Sequence, residues 1–516
     1  PLTNQWGVNA TVSMSISICT IRDSDAIGVG GALQSPTGST DGGGNENWSF
    51  PGGVVVFDNG NGTGIFSDAD NWAPSPPTAN DFIEFADLNG VTVTQDVVNL
   101  SVLGFDMQGA GPGAGVSFRG TLTLTQDVTV LGTVILQSTT NLNGRTFTVG
   151  SSGTSQNFTL LAAQSGTLNT GSGLLNVIGG AGATTSAIQG DLNLQAGGQV
   201  WIGNSLTSAA SGNIVDAVGA GSFTFGGASV DPSNLSTFDL NSTSVAFVST
   251  AAQSITFNGT ASFGSVTVAS TSGGLTLQGT GAMSSLGALN VNAGLTTNGL
   301  DLTASGLTTV GVGATLAVNN SAGTASLNGG LSGGGSITQS AGTAIRIPTA
   351  TVNLAQLASF NASGGVLNLN GAAQTFVVDG SVTIFDLTIA AGANMSTSTA
   401  GLNVDGTFTT AGTTTLPNFA TNDVNVDLSV AGILNTSNAF HVAGDSTVNG
   451  TINHGTGNLD LDGTIGGGGG GAINVTGAAN ALFAGSSVNF GANILYNQSG
   501  SGLTTLNGVA QTLVIG

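Results

Sequence analysis

The sequence predicts an all-β protein whose body is a right-handed parallel β-helix, a β-solenoid, behind a small N-terminal β and cap region. Three observations predict it. Short strands of alternating apolar and polar residues follow one another along most of the chain; in "TLTLT" (121–125) Leu122 and Leu124 share one face and the threonines the other. Helical signals are almost missing, with Glu only at 46 and 84 and no long segment apolar at i, i+3, i+4 and i+7. Longer phrases then recur in a fixed order. "AAQSITF" (251–257), "LNVNAGLTTNG" (289–299) and "LNGGLSGGGSI" (327–337) are followed by "AAQTFVV" (372–378), "LNVDGTFTTAG" (402–412) and "LDGTIGGGGGGAI" (461–473).

The offsets are 121 residues from Gln253 to Gln374, 113 from Leu289 to Leu402 and 134 from Leu327 to Leu461, a drift that unequal outward loops produce. A third copy opens at Gln511 in "VAQTLVIG" (509–516), so the chain reads as a segment of a longer array or one whose last coil ends as each unit begins. Repetition of this kind marks a solenoid, in which each coil contacts chiefly its neighbours. At ~20 residues per coil and ~4.8 Å between strands, the array predicts a rod on the order of 100 Å long.

Composition narrows the functional classes. Only 6% of the 516 residues are charged, against about 25% in an average soluble domain. Lysine is absent, the four basic residues are Arg22, Arg119, Arg145 and Arg346, and the net charge of −22 opposes phosphate backbones and anionic lipid. Nucleic acid is therefore not an expected partner. Like charges stacked on successive coils repel, which gives a physical reason for a wall of Thr, Ser and Asn. No apolar run reaches the ~18 residues of a membrane helix, so this segment is not expected to insert in a membrane. Cys19 is the single cysteine, excluding an intrachain disulfide. No secretory leader is recognisable from Pro1 onward.

Taken in order, residues 1–34 read as an N-terminal β segment, with "VNATVSMSISICTI" (8–21) as an alternating strand and Cys19 as a small buried hydrophobe within it. Residues 35–47, "SPTGSTDGGGNEN", read as a flexible linker. Residues 48–115 read as a capping and lead-in region: they carry aromatic anchors and prolines, then the strand "DFIEFAD". A cap answers the unpaired backbone groups of an open coil. Residues 116–516 read as the solenoid array, with Gly, Asn, Asp and Ser supplying its corners.

The stretch "DNWAPSPPTANDFIEF" (70–85) joins an Asn-Trp pair, a proline-bearing turn and an Asp-Phe-x-x-Phe strand leading into Thr/Gly-rich repeats. In this it resembles the start of the repeat arrays of large bacterial extracellular surface proteins, the autotransporter passengers and filamentous-haemagglutinin-like adhesins, over roughly residues 45–516. The resemblance implies a secreted β-helical protein of the cell surface. An autotransporter also carries a C-terminal membrane barrel with aromatic girdles; with one Tyr in the chain, that delivery route is not expected from these residues.

Asp58, Asn59, Asn61, Asp68 and Asp70 lie within thirteen residues on a Gly-rich loop, a candidate calcium site because that ion takes six to eight oxygens in flexible geometry. The loop lacks the terminal bidentate Glu of an EF-hand, and a solvated acidic turn is the competing reading. Asp23 and Asp25 form a weaker candidate of the same kind. Asp460 and Asp462 share an outward face in "NLDLDG", a pairing that glycoside cleavage uses but that any solvated strand also shows. His441 and His454, the only histidines, sit thirteen residues apart and are a candidate metal pair, although two ligands do not close a zinc site. No G-x-S-x-G elbow is present, and the glycines at 466–471 lack the Lys and helix of a phosphate loop, reading instead as a slack corner. Asn-x-Ser/Thr triplets occur at Asn9, Asn47, Asn61, Asn258, Asn361 and Asn449.

The expectation is a non-enzymatic, extracellular structural or adhesive protein without a required cofactor, calcium aside. It self-associates end to end into filaments, with surface glycans as a further partner. The alternative is a carbohydrate-binding or carbohydrate-cleaving β-helix, which needs aromatic platforms along one face; Trp201 and Tyr496 stand apart along the coils.

Overall fold

Successive side chains of an extended strand point to opposite sides, so a coil built from such strands turns half its residues inward and half to water. The computed structural model is all-β, with parallel stacked strands forming a β-solenoid of about 18 turns and almost no helix. It describes short strands between residues 6 and 49 and, from residue 54, all residues except 74–75, 80, 109–117, 152–155, 163–164, 180–183, 210, 220, 321, 379–381, 398–400, 417–420, 469, 491–493 and 516. The expected linker at 35–47 and the strand at 8–21, with Cys19, lie outside the described residues apart from short pieces such as Thr20–Ile21 and Thr40–Asp41. The chain divides into two compact units, Pro1–Ser244 and Val245–Gly516.

In the first unit three strands make a coil, and each strand pairs in parallel with its equivalent one coil on. One column runs through Phe82–Phe85, Gly104–Asp106, Val134–Leu136, Phe158–Leu160 and Thr185–Ile188. Its neighbour runs through Leu100–Val102, Val128–Val130, Thr146–Val149, Leu174–Val177, Gln199–Ile202 and Ser222–Phe225. Register holds residue for residue, so Leu100, Val128, Phe147, Leu175, Val200 and Phe223 stack as one buried ladder. Each such side chain contributes about 1.5–3 kcal/mol relative to exposure.

Parallel stacking already operates at Val54–Phe57, which pairs with Phe82–Phe85. On its other edge Val54–Phe57 pairs antiparallel with Trp72–Ala73, against the pattern of the coils. Phe57, Phe66, Trp72 and Phe85 close over one another there, with ring centroids 4.9–6.1 Å apart, and the Trp72 indole N–H donates to the Phe66 carbonyl at 2.8 Å. Those are aromatic anchors of the capping region, Trp72 and Phe85 lying in the resembling stretch.

The second unit uses the same three-strand coil. Val404, Val424, Val442, Leu461 and Phe483 form one inward ladder, buried throughout. Outward positions carry amide ladders instead: the Asn474 side chain donates to Asn453, and Asn453 to Asn435, each at 2.9 Å. The glycine run at 466–471 falls at a corner, between strands Ile465–Gly466 and Gly471–Gly477, with Gly469 outside the described residues. The corner is crowded: a Cβ on Gly467 or Gly471 collides with the Val448 carbonyl of the coil below.

The recurring "AAQ" phrase is a corner device. In "NGAAQT" (370–375) Ala373 takes a left-handed φ of 53°, and a Cβ on Gly371 collides with the Pro348 carbonyl. The chain thereby turns the Gln374 side chain into the core. Its amide donates to the Ile347 and Thr349 carbonyls at 2.7 and 2.8 Å and accepts from the Gly371 N–H at 3.0 Å. Gln511 repeats the device: Ala510 has φ 55°, and the Gln511 amide donates to the Phe483 and Gly485 carbonyls. Gln374→Leu keeps the volume but strips partners from buried backbone groups, and we expect a loss of about 2–4 kcal/mol in urea unfolding. Gln356→Leu, at an exposed glutamine, is the control and is expected to change stability by under about 0.5 kcal/mol.

Candidate functional site

Residues that stack in register bring side chains together that are one coil apart in sequence. Asp423 on Thr421–Val424, His441 on Ala439–Val442 and Asp460 on Asn458–Leu461 occupy one outward column of the second unit, each directly opposite the next. Asp462 follows Asp460 by two residues and joins the same face. The His441 imidazole lies between carboxylates: Nε2 is 3.1 Å from Asp462 Oδ2 and Nδ1 is 3.4 Å from Asp423 Oδ1. Among the described His, Cys, Asp and Glu side chains, only His441, Asp460 and Asp462 form a group of three with ligand atoms within 4.8 Å of one another.

The electrostatics follow from this crowding. Partial burial and the neighbouring Asp462 carboxylate hold Asp460 above the ordinary carboxylate range. Asp460 Oδ1 is buried and no donor faces it. At His441 partial burial opposes the charged ring, but the hydrogen bond to Asp462 and the fields of Asp462, Asp460 and Asp423 outweigh it, and the pKa rises. No guanidinium or ammonium relieves the site, because after Arg346 the chain carries eight aspartates and no Lys or Arg.

The proposed His441–His454 pair does not form. His441 faces outward, whereas His454 ends strand Thr451–His454 with its ring in the core, Nδ1 2.7 Å from the Thr436 hydroxyl. Burial pushes the His454 pKa down. Asp460 and Asp462 do share an outward face. Their link to His441 and Asp423 escaped the sequence reading, although the offsets of 18 and 19 residues along Asp423, His441 and Asp460, one coil each, carry it.

The loop Asp58–Asp70 is arranged differently. The Asp68 carboxylate accepts from Asn61 Nδ2 at 2.9 Å, Thr63 Oγ1 at 2.8 Å and the Asp70 N–H at 3.2 Å. Asn59 Oδ1 accepts from the Gly64 N–H and Asp58 Oδ1 from the Gly60 N–H. Hydrogen bonds from Thr63 and Asn61 hold Asp68 below the usual carboxylate range. Asn71, buried beneath, closes the turn by accepting the Asn61 N–H at 3.0 Å. Side-chain oxygens of Asp58, Asn59 and Asp68 are therefore engaged with donors of the loop itself. Asp23 and the side chain of Asp25 lie outside the described residues.

Other acidic groups serve the backbone. Asp427 Oδ1 accepts the Asp445 N–H at 2.9 Å, and Asp445 Oδ1 in turn accepts the Thr464 N–H at 2.7 Å, each one coil on. Asp386 does the same for Thr407. In the first unit Glu84 and Asp106 stand opposite in register, and burial raises both above the ordinary range. Trp201 is an exposed aromatic on its strand, while Tyr496 stacks on Phe490 at 5.1 Å. Of the Asn-x-Ser/Thr positions, Asn61, Asn258, Asn361 and Asn449 are exposed.

Comparison with protein-family models, with curated proteins and with solved structures finds no match to this chain.

His454 makes a pH prediction. Burial makes the ring harder to protonate in the fold than in the unfolded chain, so its contribution to stability is present above its ordinary pKa of about 6.5 and declines as pH falls below it. The difference in unfolding free energy between wild type and His454→Gln should shrink over that range, as read by urea denaturation at stepped pH, while staying flat at higher pH.

Proposed function

We propose that this chain is an extracellular structural protein of a bacterial surface, a stiff β-solenoid spacer within a fibre, adhesin or sheath. The observation that carries the reading is the way the coils are satisfied. Uncharged amide ladders line the outward face, and aspartates are spent on backbone N–H groups of the next coil, as at Asp427 and Asp445. Such a wall resists salt and proteolysis without depending on ion pairs.

Self-association is the proposed mode of assembly. The last coils of the second unit present an apolar face: Leu495, Leu503 and Val509 are 64%, 69% and 93% exposed. β-Augmentation, in which a strand edge of one copy pairs with a strand edge of the next, is the mode of contact such coils use to extend. Glycans on other surfaces are the natural counterpart of an adhesin.

Negative-stain electron microscopy and limited proteolysis test the reading together. Elongated particles that join end to end, and coils that survive a protease dose sufficient to degrade an ordinary globular control, are expected. Compact isolated particles, or release of reducing sugar from a polysaccharide panel, would contradict it and favour the carbohydrate-active alternative.

A further inference from the structure

The outward column Asp423–His441–Asp460 sets an imidazole among carboxylates. A neighbouring column of the second unit stacks amides instead, along Asn435, Asn453 and Asn474. Here two coils bring Asp460 and Asp462 beside an imidazole, with a third carboxylate, Asp423, from the coil before. Three carboxylates drawn together repel, and one histidine, carrying at most a single positive charge, does not cancel them.

The orientation of the groups is specific. The ring hydrogen-bonds through Nε2 to Asp462 Oδ2 at 3.1 Å, with Asp423 Oδ1 3.4 Å from Nδ1, so an ion that takes the place of the Nε2 proton meets Asp462 on that side and keeps Asp423 behind the ring. A carboxylate behind a histidine whose other nitrogen faces further oxygens is the arrangement that orients metal-bound imidazoles. Asp460 Oδ1, buried without a donor, supplies a lone pair that the protein itself leaves unused. The ligand atoms of His441, Asp460 and Asp462 lie within 4.8 Å of one another, so small rotamer adjustments bring them to the ~2.0–2.2 Å from a common centre that zinc requires.

We propose that His441 Nε2, Asp460 and Asp462 form a binding site for a divalent first-row transition ion, with Asp423 positioning the histidine and water completing the coordination. One nitrogen with carboxylate oxygens selects such an ion over the all-oxygen sites that calcium prefers. The ion bridges adjacent coils, pinning Ala439–Val442 to Asn458–Leu461 from outside the core. The site is independent of the surface role proposed above and stands whether or not the chain forms fibres.

Zn2+ is the probe, on the full chain after treatment with a chelator. Calorimetric titration should show one saturable Zn2+ per chain, lost in His441→Gln and Asp460→Asn and weakened on the order of 10-fold in Asp423→Asn. Asp427→Asn removes a charge nearby in sequence but outside the cluster and should leave the affinity unchanged. Because the chain has two histidines, their ring resonances report directly: Zn2+ should shift the His441 signals and leave those of buried His454 in place, which also shows that the fold is intact. Zn2+ uptake that is equal in wild type and His441→Gln, a matching loss in Asp427→Asn, or an unmoved His441 resonance would each overturn the proposal.

Discussion

Everything in this molecule depends on one constraint: each coil must lie on the coil before it in register, so that every strand finds its backbone partners in its own equivalent. A parallel pair offers evenly spaced hydrogen bonds only while the offset stays at zero, and a slip of one residue turns the whole inward set to water. The ladder Leu100–Val128–Phe147–Leu175–Val200–Phe223 shows what that register secures, an apolar column in which every member is buried. Coil length is free to vary, because only the strand positions must coincide; corners and outward loops absorb the difference.

The same constraint governs polar chemistry. Stacking puts like beside like, which rewards Asn and Thr, whose side chains both donate and accept, and penalises repeated charge. Aspartate survives where a backbone N–H of the next coil answers it, as Asp445 answers Asp427 and Thr464 answers Asp445. Asp423, His441, Asp460 and Asp462 break this rule on the outward face. Buried polar groups follow it inside: Gln374 enters the core only because three backbone groups meet its amide.

Much of this was legible in the residues. Alternation in "TLTLT" predicts Leu122 and Leu124 inside, and both are fully buried. The "AAQ" phrase recurs several turns apart, and at Gln374 and Gln511 the structure shows what it does: a left-handed Ala and a core-facing amide make a corner. What sequence could not supply was the coil length at each point. Without it, His441 was weighed against His454, thirteen residues away, instead of Asp423 and Asp460 at 18 and 19 residues. Proximity in sequence misled for a second reason: the chain passes a corner between those histidines, so one faces water and the other the core. The Asp58–Asp70 loop shows the converse, since composition alone does not reveal that Asn61 and Thr63 supply Asp68 with donors.

Register itself can be measured by pairing cysteines across coils, in a background with Cys19 replaced by Ser. Asn453 and Asn474 are direct outward partners, so Asn453→Cys with Asn474→Cys should oxidise readily to a disulfide, the parallel spacing of ~4.8 Å falling within the range such bonds span. Asn453→Cys with Thr476→Cys, two residues out of step on the same face, should remain reduced. Equal oxidation of the two pairs, or a preference for the displaced one, would contradict the in-register stacking on which the account is built.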